Sequence, residues 1–173
     1  TPEQLIELYH AMRMRGIEAH YLFHAVPMKG THHLRPSVNR MLYCYEEPEM
    51  VHTVLKKATE FITKYMKAFK DAGADGIIMS EPLAGLLSPQ LIEEFSTNYI
   101  KQIVNNLQDE SFIIIYHNCG NYAYLMTDSI RENGCMAYHF GDSMDLQQML
   151  DRMGPDRLIF GNISPSAQFR NGT

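Results

Sequence analysis

Tryptophan is absent from the 173 residues, and thiols are nearly so: Cys44, Cys119 and Cys135 are the three cysteines. An odd number of cysteines at wide spacing argues against a disulfide framework and for a reducing, cytoplasmic setting. Charge is also thin. Charged residues make up 20% of the chain, with 20 acidic against 15 basic side chains and a net charge of -5. With a pI near 5.9, a nucleic-acid-binding surface is not expected. No apolar run approaches a bilayer span, and the opening residues do not read as a signal peptide, so no membrane partner is expected either. No Gly-x-Gly-x-x-Gly follows an apolar run, which weakens a dinucleotide-binding reading. What remains is an ordinary globular composition, 45% apolar, long enough for one domain with a real core. The 12 methionines read mainly as adaptable core filler.

Turn and helix signals divide the chain into alternating elements. Thr1-Pro2-Glu3-Gln4 reads as a helix N-terminus, followed by an apolar face at Leu5, Ile6, Leu8 and Met12. Ala19 to Val26 reads as a strand stopped by Pro27, and Met28 to Glu46 as an irregular stretch holding His32 and His33. A long helix is predicted from Glu46 to about Asp71, on the spacing of Val51, Val54, Leu55, Ala58, Phe61, Ile62, Tyr65 and Phe69. Further strands are predicted at Ile77 to Ser80, Phe112 to Tyr116, Ala137 to Phe140 and Leu158 to Phe160. Helices are predicted between them, from Ser88-Pro89 to about Leu107, from Ala123 to Glu132 and from Asp145 to Met153. The residues after Pro165 read as a polar tail. Repeated β-α units with unalternated apolar strands imply a parallel sheet with helices outside. Both an open doubly wound sheet and part of a (β/α)8 barrel fit that order. Polar residues at successive strand ends, Glu81, His117 and Asn162, suit a barrel mouth. A whole barrel takes about 250 residues, so about five of its eight strands are expected here.

The sharpest chemical signal is Tyr116-His117-Asn118-Cys119-Gly120, where an apolar strand ends in His-x-Cys. Residues i and i+2 of a strand share a face, so His117 and Cys119 can point the same way at the strand's C-terminal end. Imidazole nitrogen and thiolate sulfur are both good zinc ligands, and this end of a strand is where α/β active sites collect. A satisfied core histidine beside an inert thiol is the plain alternative. His139 lies within a predicted strand and could face the mouth, with a core role the first expectation. His24 is similar, and His32 and His33 read as solvated loop residues.

The run Gly73-Ala74-Asp75-Gly76-Ile77-Ile78, then Glu81-Pro82, Leu87-Ser88-Pro89 and Phe95, resembles the uroporphyrinogen decarboxylase superfamily. Asp156-Arg157-Leu158-Ile159-Phe160-Gly161-Asn162-Ile163 followed by Ser164-Pro165 resembles it too. His117-Asn118-Cys119-Gly120-Asn121 looks like the branch of zinc-dependent, corrinoid-linked methyltransferases, which includes the methylcobamide:coenzyme M methyltransferases. The resemblance implies that residues 1–173 form a single domain, a portion of a TIM-type (β/α)8 barrel with zinc at its C-terminal mouth. It implies His117 and Cys119 as paired metal ligands, with a further Cys from a later strand end. Cys135 does not match that position. Glu81 stands where the family carries a site-facing acid, usually Asp. It is the candidate catalytic residue, as a fourth, oxygen ligand or a substrate contact. Asn162 and Tyr116 are candidate substrate-binding residues.

The chemistry so implied is methyl transfer from a methylcorrinoid to a zinc-activated small thiol. The corrinoid is a co-substrate, brought by a carrier protein or bound over the barrel mouth. Coenzyme M, homocysteine and other small thiols are all compatible acceptors. One rival is a decarboxylase of the same superfamily acting on a tetrapyrrole or similar acid. That reading calls for an Arg-rich cleft and an N-terminal catalytic Asp, which this sequence lacks. The other rival is a non-enzymatic corrinoid- or metal-binding accessory protein, with zinc structural or missing.

Overall fold

The computed structural model describes Leu22–Phe23, residues 43–81 and residues 84–172. The predicted first helix, most of the irregular stretch, His24, His32, His33 and Pro82 lie outside the described residues. Five parallel strands form one sheet: β1 (Leu22–Phe23), β2 (Gly76–Ser80), β3 (Ile113–Asn118), β4 (Ala137–Phe140) and β5 (Leu158–Phe160). They pair strictly in chain order, β1-β2-β3-β4-β5. A doubly wound sheet reverses its order at a switch point. Sequential order is instead that of a barrel wall, which decides between the two architectures the sequence left open.

Helices fill the connections. The helix α1 (Pro48–Asp71) follows β1, and α2 (Pro89–Ile92) follows β2. A wider π-type turn at Glu93–Thr97 then leads into α3 (Asn98–Leu107). The elements α4 (Thr127–Glu132) and α5 (Leu146–Met153) follow β3 and β4. Ser88 caps α2 by accepting the Leu91 N–H at 3.3 Å, with Pro89 in the first helical position. Satisfying one orphan donor in this way is worth about 1 kcal/mol. Ser88→Ala is therefore expected to lower unfolding free energy by about that amount in a urea titration. At the other end, the Lys70 ammonium donates to the Leu107 carbonyl at 2.7 Å. It satisfies an orphan acceptor and complements the negative end of the α3 dipole.

Among the described residues, helices cover one face of the sheet and not the other. Along β3 burial alternates: Ile114, Tyr116 and Asn118 are buried, while Ile113, Ile115 and His117 are half-buried. Ile114 and Tyr116 pack with Met66 and Phe69 of α1, Ile100, Ile103 and Val104 of α3, and Met149 and Met153 of α5. The half-buried set faces the concave side, which a barrel fills with side chains from several strands. Gln108 stitches the lower edge. Its side-chain oxygen accepts from Ile114 N–H at 3.2 Å and Met136 N–H at 2.9 Å. Cys135 lies fully buried there, just before β4, and burial pushes its thiol far above the usual range.

Two sequence expectations change. β3 continues two residues past Tyr116, through His117 and Asn118. The stretch after Pro165, read as a polar tail, forms a helical turn over Pro165–Arg170 capped by Ser164. The reason is the same Ser-Pro start that opens α2. Among the described residues no helix is long and apolar enough to cross a membrane.

Candidate active site at the strand ends

Register brings four side chains into one row across the sheet. Ser80 pairs with His117, His117 with His139, and His139 with Phe160. Paired residues of neighbouring strands share a face. The row therefore crosses the concave side near the C-terminal ends of the strands. Ser80 is buried and Phe160 is exposed at the β5 edge. Between them the two imidazoles meet. The Nδ1 atoms of His117 and His139 stand 2.8 Å apart, and the ring centroids 4.8 Å apart at 49°.

Cys119 follows one residue beyond β3 and is exposed. It nests against Gly141, just past the end of β4. A Cβ at Gly141 would come within 3.0 Å of the Cys119 Cα and Cβ atoms. The Cys119 backbone is thus held beside the end of the strand that carries His139.

Behind the same strand lies a buried polar chain. The Glu81 carboxylate accepts from Ser96 Oγ at 2.6 Å and from the Tyr116 hydroxyl at 3.1 Å. Tyr116 in turn accepts from the Asn118 amide at 3.1 Å. Asn118 Oδ1 accepts the Gly120 N–H at 2.8 Å. Burial pushes the Glu81 carboxyl up to about 7, against the opposing pull of its hydrogen bonds from Ser96 and Tyr116. Burial, and then the Glu81 charge, hold the Tyr116 hydroxyl well above its ordinary value, so it stays a donor. Space here is fully used. A Cβ at Gly85 would stand 2.7 Å from Asn118 Oδ1 and 2.8 Å from Gly120 Cα. Close backbone approach of this kind requires glycine.

The sequence-selected residues thus fall into three groups. His117 and Cys119 stand together at the β3 end. Glu81 and Tyr116 are brought to each other on the helix-facing side, because alternation gives Tyr116 the face that His117 does not have. Asn162, beyond β5, donates to the Gly141 carbonyl at 3.4 Å and to the Met144 carbonyl, bracing the loop after β4. A cavity of about 250 Å³, lined by Tyr124, Ser143, Met144, Asp145 and Gln148, opens beside that loop and does not include the histidines.

The sequence leaves His139 a core place or a place facing the mouth, and the structure has it meet His117 on the concave face. Its signal is visible in part: both strands carry His one residue before their last, followed within three residues by Gly. Asn118 and Ser96 were not singled out at all. An imidazole and a thiol from one strand end are suitable zinc donors, so His117 and Cys119 fit two positions of such an ion. Among the described residues no group of three His, Cys, Asp or Glu side chains is arranged to hold a metal.

The fold and the sequence have counterparts among known proteins. A methyltransferase from Methanosarcina mazei superposes with a TM-score of 0.65 at 19% identity, over 76% of this chain and 41% of that one. The likeness is one of fold, and it extends the parallel α/β sheet to the TIM-barrel type. Over 131 residues the chain is 30% identical to a uroporphyrinogen decarboxylase of Coxiella burnetii, covering 73% of this chain and 36% of that protein. Over 130 residues it is 30% identical to a uroporphyrinogen decarboxylase of Neisseria meningitidis serogroup C, covering 72% and 36%. The chain spans about a third of the length of the curated relatives it matches. The uroporphyrinogen decarboxylase (URO-D) family pattern matches residues 31–173. With most of its length so matched, the chain belongs to the uroporphyrinogen decarboxylase family.

Proposed function

We propose that this chain carries the thiol-activating part of a zinc-dependent methyltransferase, which moves a methyl group from a methylcorrinoid to a small thiol. The observation that carries the reading is His117-x-Cys119 at the C-terminal end of β3, on the face where barrel enzymes do their chemistry. The fold likeness to a methyltransferase supports it. A bound zinc ion would supply one thing, a coordinated thiol held as thiolate near neutral pH. The substrate sulfur would then take the methyl group as the cobalt–carbon bond breaks, with both electrons of that bond left on cobalt.

The chain's own residues hold and aim. His117 and Cys119 are the two ligands it offers. The exposure of Cys119 leaves the metal accessible to a substrate thiol and to a corrinoid delivered by a carrier protein. Asn118 and Gly120 flank Cys119 and are locked to one another through the 2.8 Å bond, so the ligand's backbone is set before any ion arrives. Glu81 and Tyr116 anchor that lock from the core side and give the strand end its stiffness. Pre-set ligands avoid paying ordering entropy at the moment of binding.

A second reading, decarboxylation of a tetrapyrrole acid, is favoured by the names of the curated relatives. One experiment separates the two. The protein is assayed with methylcobalamin and coenzyme M or homocysteine for S-methylation, with and without a chelator, and separately with uroporphyrinogen for decarboxylation. Chelator-sensitive S-methylation is the expected result. Decarboxylation without metal and no S-methylation would overturn the proposal.

A further inference from the structure

The contact between the two imidazoles fixes more than their proximity. A pair of nitrogens bound to one tetrahedral zinc at about 2.0–2.1 Å stands about 3.3 Å apart. The His117 and His139 Nδ1 atoms are at 2.8 Å, which is the distance of a hydrogen bond. Between neutral imidazoles such a bond requires one Nδ1 to carry the proton and the other to accept it. If His139 donated, His117 would hold its own proton on Nε2, and its one lone pair would be spent on His139. If His117 donates, its Nε2 lone pair is the one that can ligate. Metal-bound histidines almost always donate their other ring N–H to a partner, which fixes tautomer and ring orientation.

We propose that His139 is a positioning residue for His117, accepting the Nδ1–H of His117 and so making Nε2 the ligating atom. The inference rests on the metal reading above for its purpose, but the tautomer exists without the metal. The fold supports the pairing of the two rings independently of chemistry, since His117 and His139 are register partners in a parallel ladder. Gly141 also lets Cys119 settle against the strand that carries His139. Three side chains of two adjacent strand ends are thereby organised with only two of them as ligands.

The test uses the intact, metal-free protein labelled with 15N-histidine, and long-range 1H–15N NMR to read each ring's tautomer. His117 is expected as the Nδ1–H form and His139 as the Nε2–H form. In His139→Ala, His117 should revert to the Nε2–H form, and zinc affinity should fall about 10- to 100-fold. His139→Asn places an amide oxygen near the lost Nδ1 acceptor and should restore both tautomer and affinity. That rescue also guards against a poorly folded alanine variant. His117 found as the Nε2–H form in the wild type overturns the proposal. So does a His139→Ala protein that loses the tautomer yet binds zinc as tightly as before. A wild type with the expected tautomers that binds no zinc upholds the pairing and overturns the metal reading instead.

Discussion

Cys119→Ala is expected to strip the protein of zinc and of thiol methylation together. A residue that only orients a ligand is worth about 10- to 100-fold in metal affinity. Removing a thiolate ligand itself should therefore cost more than about 100-fold. Elemental analysis should find about one zinc per chain in the wild type and essentially none in the variant. The fold should be little affected, because Cys119 is exposed and exposed substitutions away from special features usually fall within about 0.5 kcal/mol. Loss of zinc, with the same urea midpoint for the two proteins once both are metal-free, is thus the expected pair of readings. Full zinc occupancy in the variant would remove Cys119 from the site and with it the methyl-transfer reading.

Glu81→Gln is expected to change how stability depends on pH more than stability itself. The Glu81 carboxyl is raised from 4.5 to about 7 by burial, so the folded state binds its proton more tightly than the unfolded chain does. The contribution is fully present below about 4.5, declines as pH rises through about 7, and is constant above. A change of this size corresponds to about 3 kcal/mol across the window. Glutamine does not titrate and still offers an acceptor to Ser96 and Tyr116. Urea unfolding at pH 5 and pH 8 should show the wild type losing about 2–3 kcal/mol more than the variant on going to the higher pH. Parallel profiles would show that the carboxyl titrates normally and that the chain through Tyr116 and Asn118 does not depend on its charge. Zinc content should be the same in both proteins, because the carboxylate lies on the side of β3 away from His117.

Much of the fold was legible because its signals are local. Ala137 to Phe140 and Leu158 to Phe160 are short apolar runs fenced by glycine and polar turns, and both are strands with those bounds. Ser88-Pro89 announced a helix through capping chemistry that needs no tertiary partner. The turn at Pro165 has the same Ser-Pro start, set in a stretch whose polar composition masks it. What the sequence hid is what depends on neighbours. The π-type turn at Glu93–Thr97 has no local punctuation. The meeting of His117 with His139 depends on ladder register, which one strand cannot state alone. The direction of Glu81 at the β2 exit is decided by a buried Tyr116 hydroxyl and a Ser96 hydroxyl that come from two other elements.

Alternation along β3 has an evolutionary reading. His117 faces the mouth, with Cys119 exposed just beyond the strand, while Tyr116 and Asn118 face the helices and hold the strand in place. The candidate ligands and the groups that brace the strand therefore interleave on opposite faces of β3, so a change in one set need not disturb the other. A strand wired this way can exchange its chemistry at odd positions and keep its architecture at even ones. Such a division gives one scaffold room to host both decarboxylases and methyltransferases.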